Sequence, residues 1–221
     1  MNKIILLGLA LLSVACSDPT PQLAELPQNA VILAFGDSLT YGTGAANGED
    51  YPSVLSELIA REVINEGQPG EITRQGAQRL PALLDEYRPN LLILIHGGND
   101  MIRDISATET IAHLNDMIDA ARKRHIDVIM LGVPSPSLFL LRSAELYREI
   151  AEKQAIPCDL DTLPELLSRS EYKSDPIHLN PAGYRILAEN IKDLLSAAGA
   201  LAKTEQQTSF QSSSKGFQSD N

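Results

Sequence analysis

Residues 30–40 read Ala30-Val31-Ile32-Leu33-Ala34-Phe35-Gly36-Asp37-Ser38-Leu39-Thr40. Six apolar residues run without alternation into a glycine, the pattern of a strand buried on both faces rather than one half open to water. Such a strand needs helices above and below it. Working outward, Arg61–Asn65, Leu91–Ile95, Asp127–Leu131 and Ala155–Leu160 are further short strand candidates, and most end in Gly, Asn or Pro. Helical periodicity fills the intervals. Ser106 and Glu109 form a capping box ahead of a stripe of Ile111, Leu114, Ile118 and Ala121,. Asn180-Pro181 sets a capping residue before a helix-opening proline, and Leu187, Ile191, Leu194 and Leu195 follow on one face,. Strands alternating with helices predict an α/β fold, a three-layer α/β/α sandwich with a parallel sheet of about five strands. Ligands of such folds sit outside the carboxyl ends of the strands.

The 221-residue chain is 43% hydrophobic and 21% charged, proportions of a soluble globular protein with a sizeable core. Lys and Arg number 18 against 29 Asp and Glu, a net charge of −11. That field repels a phosphate backbone, and no basic run makes a local exception, so nucleic acid is not an expected partner. The ends separate from the domain by composition. Lys3 followed by the apolar Ile4–Leu12 is too short to span a bilayer and reads as a signal peptide over residues 1–15,. Leu12-Ser13-Val14-Ala15-Cys16 resembles a bacterial lipobox, which would make Cys16 the lipidated mature N-terminus; conventional cleavage after Ala15 is the alternative. Residues 16–29, rich in Pro and polar side chains, read as a tether, residues 30–200 as the domain, and residues 201–221 as a disordered tail,. The expected location is the periplasm or cell envelope, with a membrane contact through the lipid anchor. Cys158, in an apolar stretch, reads as a buried strand residue, and no zinc site is supported.

Chemistry concentrates in four segments, three of them just after predicted strands: Gly36-Asp37-Ser38-Leu39-Thr40, Asn65-Glu66-Gly67-Gln68-Pro69-Gly70, Gly97-Gly98-Asn99-Asp100 and Asp175-Pro176-Ile177-His178. Acyl transfer needs an activated nucleophile, a base oriented by a third group, and donors for the oxyanion. Ser38 fits the nucleophile and His178 the base, with Asp175 three residues earlier able to fix the imidazole tautomer. The N–H groups of Ser38 and Gly70 and the amide of Asn99 can converge on an oxyanion. Asp37 reads as a structural turn residue, Asp100 as a local loop stabiliser, and His96 as packing; His113 and His125 have no proposed role. No metal or organic cofactor is required.

The stretches GDSLTYG, RQGAQRLPALL, HGGND, MLGVPSP and DPIHLNPAGY, in this order, resemble the GDSL or SGNH hydrolase family, over most of residues 30–200. The likeness is greatest to its small bacterial periplasmic esterases, thioesterase/lysophospholipases and arylesterases. It implies a flavodoxin-like sheet, and Ser38, Gly70, Asn99 and His178 as the four name-giving residues. It further implies a serine esterase acting through an acyl-enzyme on small esters, aryl esters, thioesters or lysophospholipids. Val133 and Pro134 correspond to a family position near the acyl chain. Leu138–Leu141 reads equally as a wall of an acyl groove and as the buried face of a helix. Gln68-Pro69 before Gly70, and Met101 after the GGND block, depart from the usual pattern. Two other readings are a carbohydrate O-deacetylase, which the 5% aromatic content and absence of Trp do not favour, and a lipoprotein that binds lipid or protein without turnover.

Overall fold

The computed structural model describes residues 20–135 and 142–201. Strands β1 (Val31–Gly36), β2 (Glu62–Gly67), β3 (Leu91–Ile95), β4 (Asp127–Leu131) and β5 (Cys158–Asp159) form a parallel sheet in the order β2-β1-β3-β4-β5. Helices α1 (Ser38–Tyr41), α2 (Tyr51–Ile59), α3 (Thr73–Tyr87), α4 (Gly98–Ile102), α5 (Ala107–Arg122), α6 (Glu145–Gln154), α7 (Thr162–Ser168) and α8 (Pro181–Ala197) connect and cover it. Helix α2 packs on α8, and α3 on α5. The expected three-layer α/β/α architecture is therefore present.

The sheet's centre follows from its sequence. Ile32 through Phe35 and all of Leu91–Ile95 have no measurable exposure, as unalternating apolar strands require. The chain leaves β1 toward β2 on one side and returns to β3 on the other, so the crevice between β1 and β3 is the topological switch point where such sheets bind ligands. Gly36 closes that crevice: a Cβ there would lie 2.0 Å from the Ile95 carbonyl oxygen. The two strand ends can approach only because position 36 has no side chain.

The helix starts read from sequence are present. Ser106 Oγ accepts the Glu109 N–H at 3.2 Å at the start of α5, and Asn180 Oδ1 accepts the Gly183 N–H at 3.0 Å at the start of α8,. The buried stripe of α5 is Thr110, Leu114, Met117, Ile118 and Ala121, with Ile111 half-buried at its margin. That of α8 includes Leu187, Ile191 and Leu195.

Three expectations change. The last strand, expected over Ala155–Leu160, is reduced to Cys158–Asp159, paired with Met130 and Leu131. Ala155 instead takes a left-handed conformation that closes α6, and Pro157 has no N–H to offer a ladder,. The second strand begins at Glu62 rather than Arg61, whose guanidinium turns back to the Leu26 and Pro27 carbonyls at 2.9 and 3.0 Å. Residues 20–29, expected as part of the tether, are fastened to the domain. The Leu23 and Leu26 N–H groups donate to the Ala198 and Ala200 carbonyls, both at 2.9 Å, and Leu26 is buried in the core. Leucines at 23 and 26 supply apolar contact that a polar composition hides. The expected signal peptide, Cys16, the Leu138–Leu141 run and the tail beyond residue 201 lie outside the described residues.

Leu26→Ala tests the fastening. Emptying this site should cost about 2–4 kcal/mol and lower Tm by roughly 5–15 °C; a free tether would leave Tm unchanged.

Candidate active site

Ser38 opens α1 directly after β1. The Asp37 side chain caps this short helix by accepting the Leu39 N–H at 3.1 Å, so the turn that presents Ser38 is held by its neighbour in sequence. His178 arrives from the far end of the chain. In its loop, Asp175 Oδ1 accepts the N–H groups of Ile177 and His178, both at 2.9 Å, which folds the four residues into a tight Asx-type turn,. Asp175 Oδ2 lies 2.6 Å from His178 Nδ1, and His178 Nε2 lies 2.9 Å from Ser38 Oγ. With the Nδ1 proton held by the carboxylate, Nε2 is left to accept the Ser38 hydroxyl proton. Tyr184, on the first turn of α8, donates its hydroxyl to the Thr43 carbonyl at 2.9 Å and ties the histidine loop to the segment after α1.

Burial works to raise the Asp175 carboxyl, but the His178 side chain and the two backbone N–H groups outweigh it and hold Asp175 below the usual carboxylate range,. Asp175 therefore stays ionised through mildly acidic pH. Asp37 differs. It is buried, and burial raises its carboxyl despite the opposing influence of His96 and the Leu39 N–H.

Of the donors expected for an oxyanion, Ser38 and Asn99 line one cleft, and Gly70 directly precedes Glu71, whose carbonyl accepts the Asn99 amide. Gly70 has φ +78°, a left-handed conformation that glycine takes without strain,. Neither the Gly70 nor the Ser38 N–H has an acceptor among the described residues. Asn99, on the first turn of α4, donates Nδ2 to the Glu71 carbonyl at 3.1 Å and approaches Asp37 Oδ2 at 3.3 Å. Val133 and Pro134 join Ser38, Leu39, Asn99 and Ile102 around a cleft of about 150 Å³. Pro176, Ile177 and Leu167 close its other side. A larger depression, about 620 Å³, lies between Arg142–Glu145 and α7 and includes none of the four block residues.

His96 is buried, as a packing residue would be, but both ring nitrogens are hydrogen-bonded: Nδ1 accepts the Gly97 N–H at 2.9 Å and Nε2 lies 3.2 Å from Glu71 Oε2. Asp100 acts at longer range than a loop stabiliser. Its carboxylate accepts both the backbone N–H (2.8 Å) and the hydroxyl of Thr73, and so caps α3 from another segment. His113 Nδ1 reaches the same hydroxyl at 3.2 Å. Cys158 is a partly buried strand residue whose thiol burial pushes up to about 12. Sequence reasoning missed Ile102, Leu167, Ile177 and the buried Glu71. Only Glu71 left a signal, as an acid directly after Gly70, the glycine expected to serve an oxyanion.

A serine, a histidine and an aspartate in relay at the carboxyl edge of a parallel α/β sheet define a serine hydrolase. The model of the GDSL-like Lipase/Acylhydrolase family matches residues 34–186, and the chain belongs to that family. Among curated proteins it is similar to an arylesterase of Vibrio mimicus, 27% identical over 72% of this chain and 84% of the relative. It is also similar to thioesterase 1/protease 1/lysophospholipase L1 of Escherichia coli strain K12, 26% identical over 72% and 79% respectively. Among solved structures it resembles AlinE4, an SGNH-hydrolase family esterase, with 27% identity, a TM-score of 0.60, and coverage of 81% of this chain and 100% of the other. The protein is an ester-hydrolysing serine hydrolase of the SGNH kind.

Asp100→Ala would strand the Thr73 N–H in the interior and leave its hydroxyl only the His113 contact. The expected cost is about 2–4 kcal/mol in urea unfolding; a change under about 0.5 kcal/mol would show that Asp100 serves only its own loop.

Proposed function

We propose that Ser38, His178 and Asp175 form the catalytic relay of this esterase, and that the Ser38 N–H, the Gly70 N–H and the Asn99 amide hold the oxyanion. The observation that carries the reading is the continuous chain Asp175 Oδ2–His178 Nδ1 and His178 Nε2–Ser38 Oγ, at 2.6 and 2.9 Å, with the Ser38 and Gly70 N–H groups lacking an acceptor among the described residues. Ser38 Oγ attacks the ester carbonyl while Nε2 takes its proton. Asp175 stabilises the imidazolium without taking the proton itself. The carbonyl oxygen, now carrying the charge, draws the Asn99 hydrogen that faces Asp37 at 3.3 Å, the weaker of its two contacts, while the one to Glu71 at 3.1 Å keeps the amide in place. His178 returns its proton to the leaving alkoxide, leaving Ser38 acylated. Water, deprotonated by the same nitrogen, then releases the acid.

The cleft points to the substrate class. A cavity of about 150 Å³ with apolar walls holds a benzene-sized group. Leu39, Ile102, Val133, Pro134, Leu167 and Ile177 line this one, with Val133 and Pro134 as substrate contacts. Aryl esters and esters of short acyl chains fit it best. The relatives named arylesterase and lysophospholipase support the same class, with lysophospholipid as the lipid member of it. The reading also includes export and lipidation at Cys16. Residues 22 and 23 meet Ala197 and Ala198 at the carboxyl end of α8, whereas the His178 loop precedes the amino end of that helix. A 17-residue helix spans about 26 Å, so residues 22 and 23 are fastened to the domain at the end of α8 away from the His178 loop.

Initial rates on p-nitrophenyl esters from acetyl to palmitoyl test the relay and the cleft together. Ser38→Ala should lose ~10³-fold or more in kcat, with the wild-type maximum among the short chains; hydrolysis surviving in the variant would overturn the assignment. Cys16→Ser should move the protein from the membrane fraction to the soluble one on fractionation of the producing cells. Equal distribution of both forms would leave conventional cleavage as the reading.

A further inference from the structure

Behind the oxyanion donors lies a buried charged cluster that the mechanism above does not use. Glu71 follows Gly70 directly and its side chain is 2% exposed. Arg79, two turns into α3, grips it with both arms, Nε to Oε1 at 2.9 Å and Nη2 to Oε2 at 2.8 Å. His96 Nε2 reaches the same Oε2 at 3.2 Å. Because His96 Nδ1 accepts the Gly97 N–H, its ring carries the proton on Nε2 and donates to the carboxylate,. Burial alone would raise the Glu71 carboxyl, but the hydrogen bonds from His96 and Arg79 outweigh it and hold it below the usual carboxylate range,.

The cluster reaches each strand end around the site. The Arg79 guanidinium lies 4.3 Å over the ring of Phe35, two residues before Asp37 in β1, and bonds Glu66 near the end of β2 through both side chain and carbonyl at 3.0 Å. Tyr87 donates to the other Glu66 oxygen at 2.8 Å. His96 follows β3, and its carbonyl accepts the Tyr147 hydroxyl at 2.8 Å. Gly76 leaves room for the imidazole under α3, where a Cβ would come within 2.6 Å of Nε2. The backbone of Glu71 completes the path, since its carbonyl is the acceptor that holds Asn99 Nδ2 at 3.1 Å.

We propose that Glu71, clamped between Arg79 and His96, is a positioning residue for the oxyanion hole. It fixes the Gly70–Glu71 turn and, through its carbonyl, the aim of the Asn99 amide. The inference rests on the oxyanion role of Gly70 and Asn99 given above. An ordinary surface ion pair would contribute little, but a bidentate, desolvated clamp restricts the angle of the turn, and oxyanion donors act only when already aimed. A loosened turn should therefore slow the chemical step more than it weakens substrate binding.

The test is a double-mutant cycle on p-nitrophenyl butyrate, with kcat and KM read separately and folding checked by circular dichroism and Tm. Asn99→Ala alone should lose about 10²–10³ in kcat. Glu71→Gln, which leaves Asn99 in place but slackens the clamp, should lose about 10-fold or more in kcat with KM within about 2-fold. In the double variant the Glu71 effect should shrink, because its path through Asn99 is gone and only that through the Gly70 turn remains. Arg79→Lys keeps the charge but one arm only. It serves as the milder variant should Glu71→Gln not fold, with a kcat loss of about 3- to 10-fold expected. Wild-type kcat in a folded Glu71→Gln or Arg79→Lys variant, or fully multiplicative losses in the double variant, would overturn the positioning role while leaving the oxyanion hole intact. Wild-type kcat in Asn99→Ala would instead remove the oxyanion reading, and this inference with it.

Discussion

The pairing of β1 with β3 sets Leu33 beside Leu92, Phe35 beside Leu94 and Gly36 beside Ile95, and almost everything else in the molecule is arranged around that contact. Parallel neighbours at the sheet centre cannot be joined by a tight turn, so the chain must leave, add β2 on one side, and return. The return creates the crevice at the carboxyl ends of the two strands. Ser38 stands two residues beyond the end of β1, and Asn99 four beyond the end of β3. Their approach is a consequence of strand register, enforced by burial of both strands on both faces. A one-residue slip would move Ser38 relative to Asn99 by about 3.3 Å, beyond the tolerance of a functional site.

Buried carboxylates do the finer positioning, and each has a distinct electrostatic setting. Asp100 and Glu71 are surrounded by donors, from Thr73 in one case and from Arg79 and His96 in the other. Among the described residues Asp37 has only the Leu39 N–H and the longer contact from Asn99, and burial prevails, raising its carboxyl. An Asp with a raised folded-state value contributes least to stability when ionised, so Asp37 costs stability at neutral pH. The cost falls as pH drops through its folded value, where protonation relieves it. Asp175 has the opposite sign: held low, it contributes stability above the unfolded carboxylate value and loses it only as pH falls through its own lower one,. Asp175 thus keeps its charge over a pH range in which the buried Asp37 does not resist protonation.

How much of this is legible in the sequence depends on whether the determining interaction is local. Leu91–Ile95 is unambiguous because five buried apolar residues have no other place to go, and α5 and α8 announce themselves through Ser106 and Asn180. The four blocks are legible for the same reason, since each presents its functional residue within a few positions of a turn. The contraction of β5 is not, because it turns on Ala155 adopting a left-handed cap. Nor is the docking of Leu26, whose partner Ala200 stands at the other end of the domain. The Glu71 cluster is the clearest case. Glu71, Arg79 and His96 lie far apart in sequence, and only the fold that closes α3 over β1 and β3 brings them together.

The central claim is that His178, oriented by Asp175, activates Ser38. It is tested most directly by treating the protein with a p-nitrophenyl alkylphosphonate and locating the adduct by peptide mass spectrometry. The expected result is a single phosphonyl group on the Ser38 peptide of the wild-type protein, with no adduct over the same interval in a folded His178→Ala variant. Labelling of another serine, or equal labelling of Ser38 in both proteins, would contradict it.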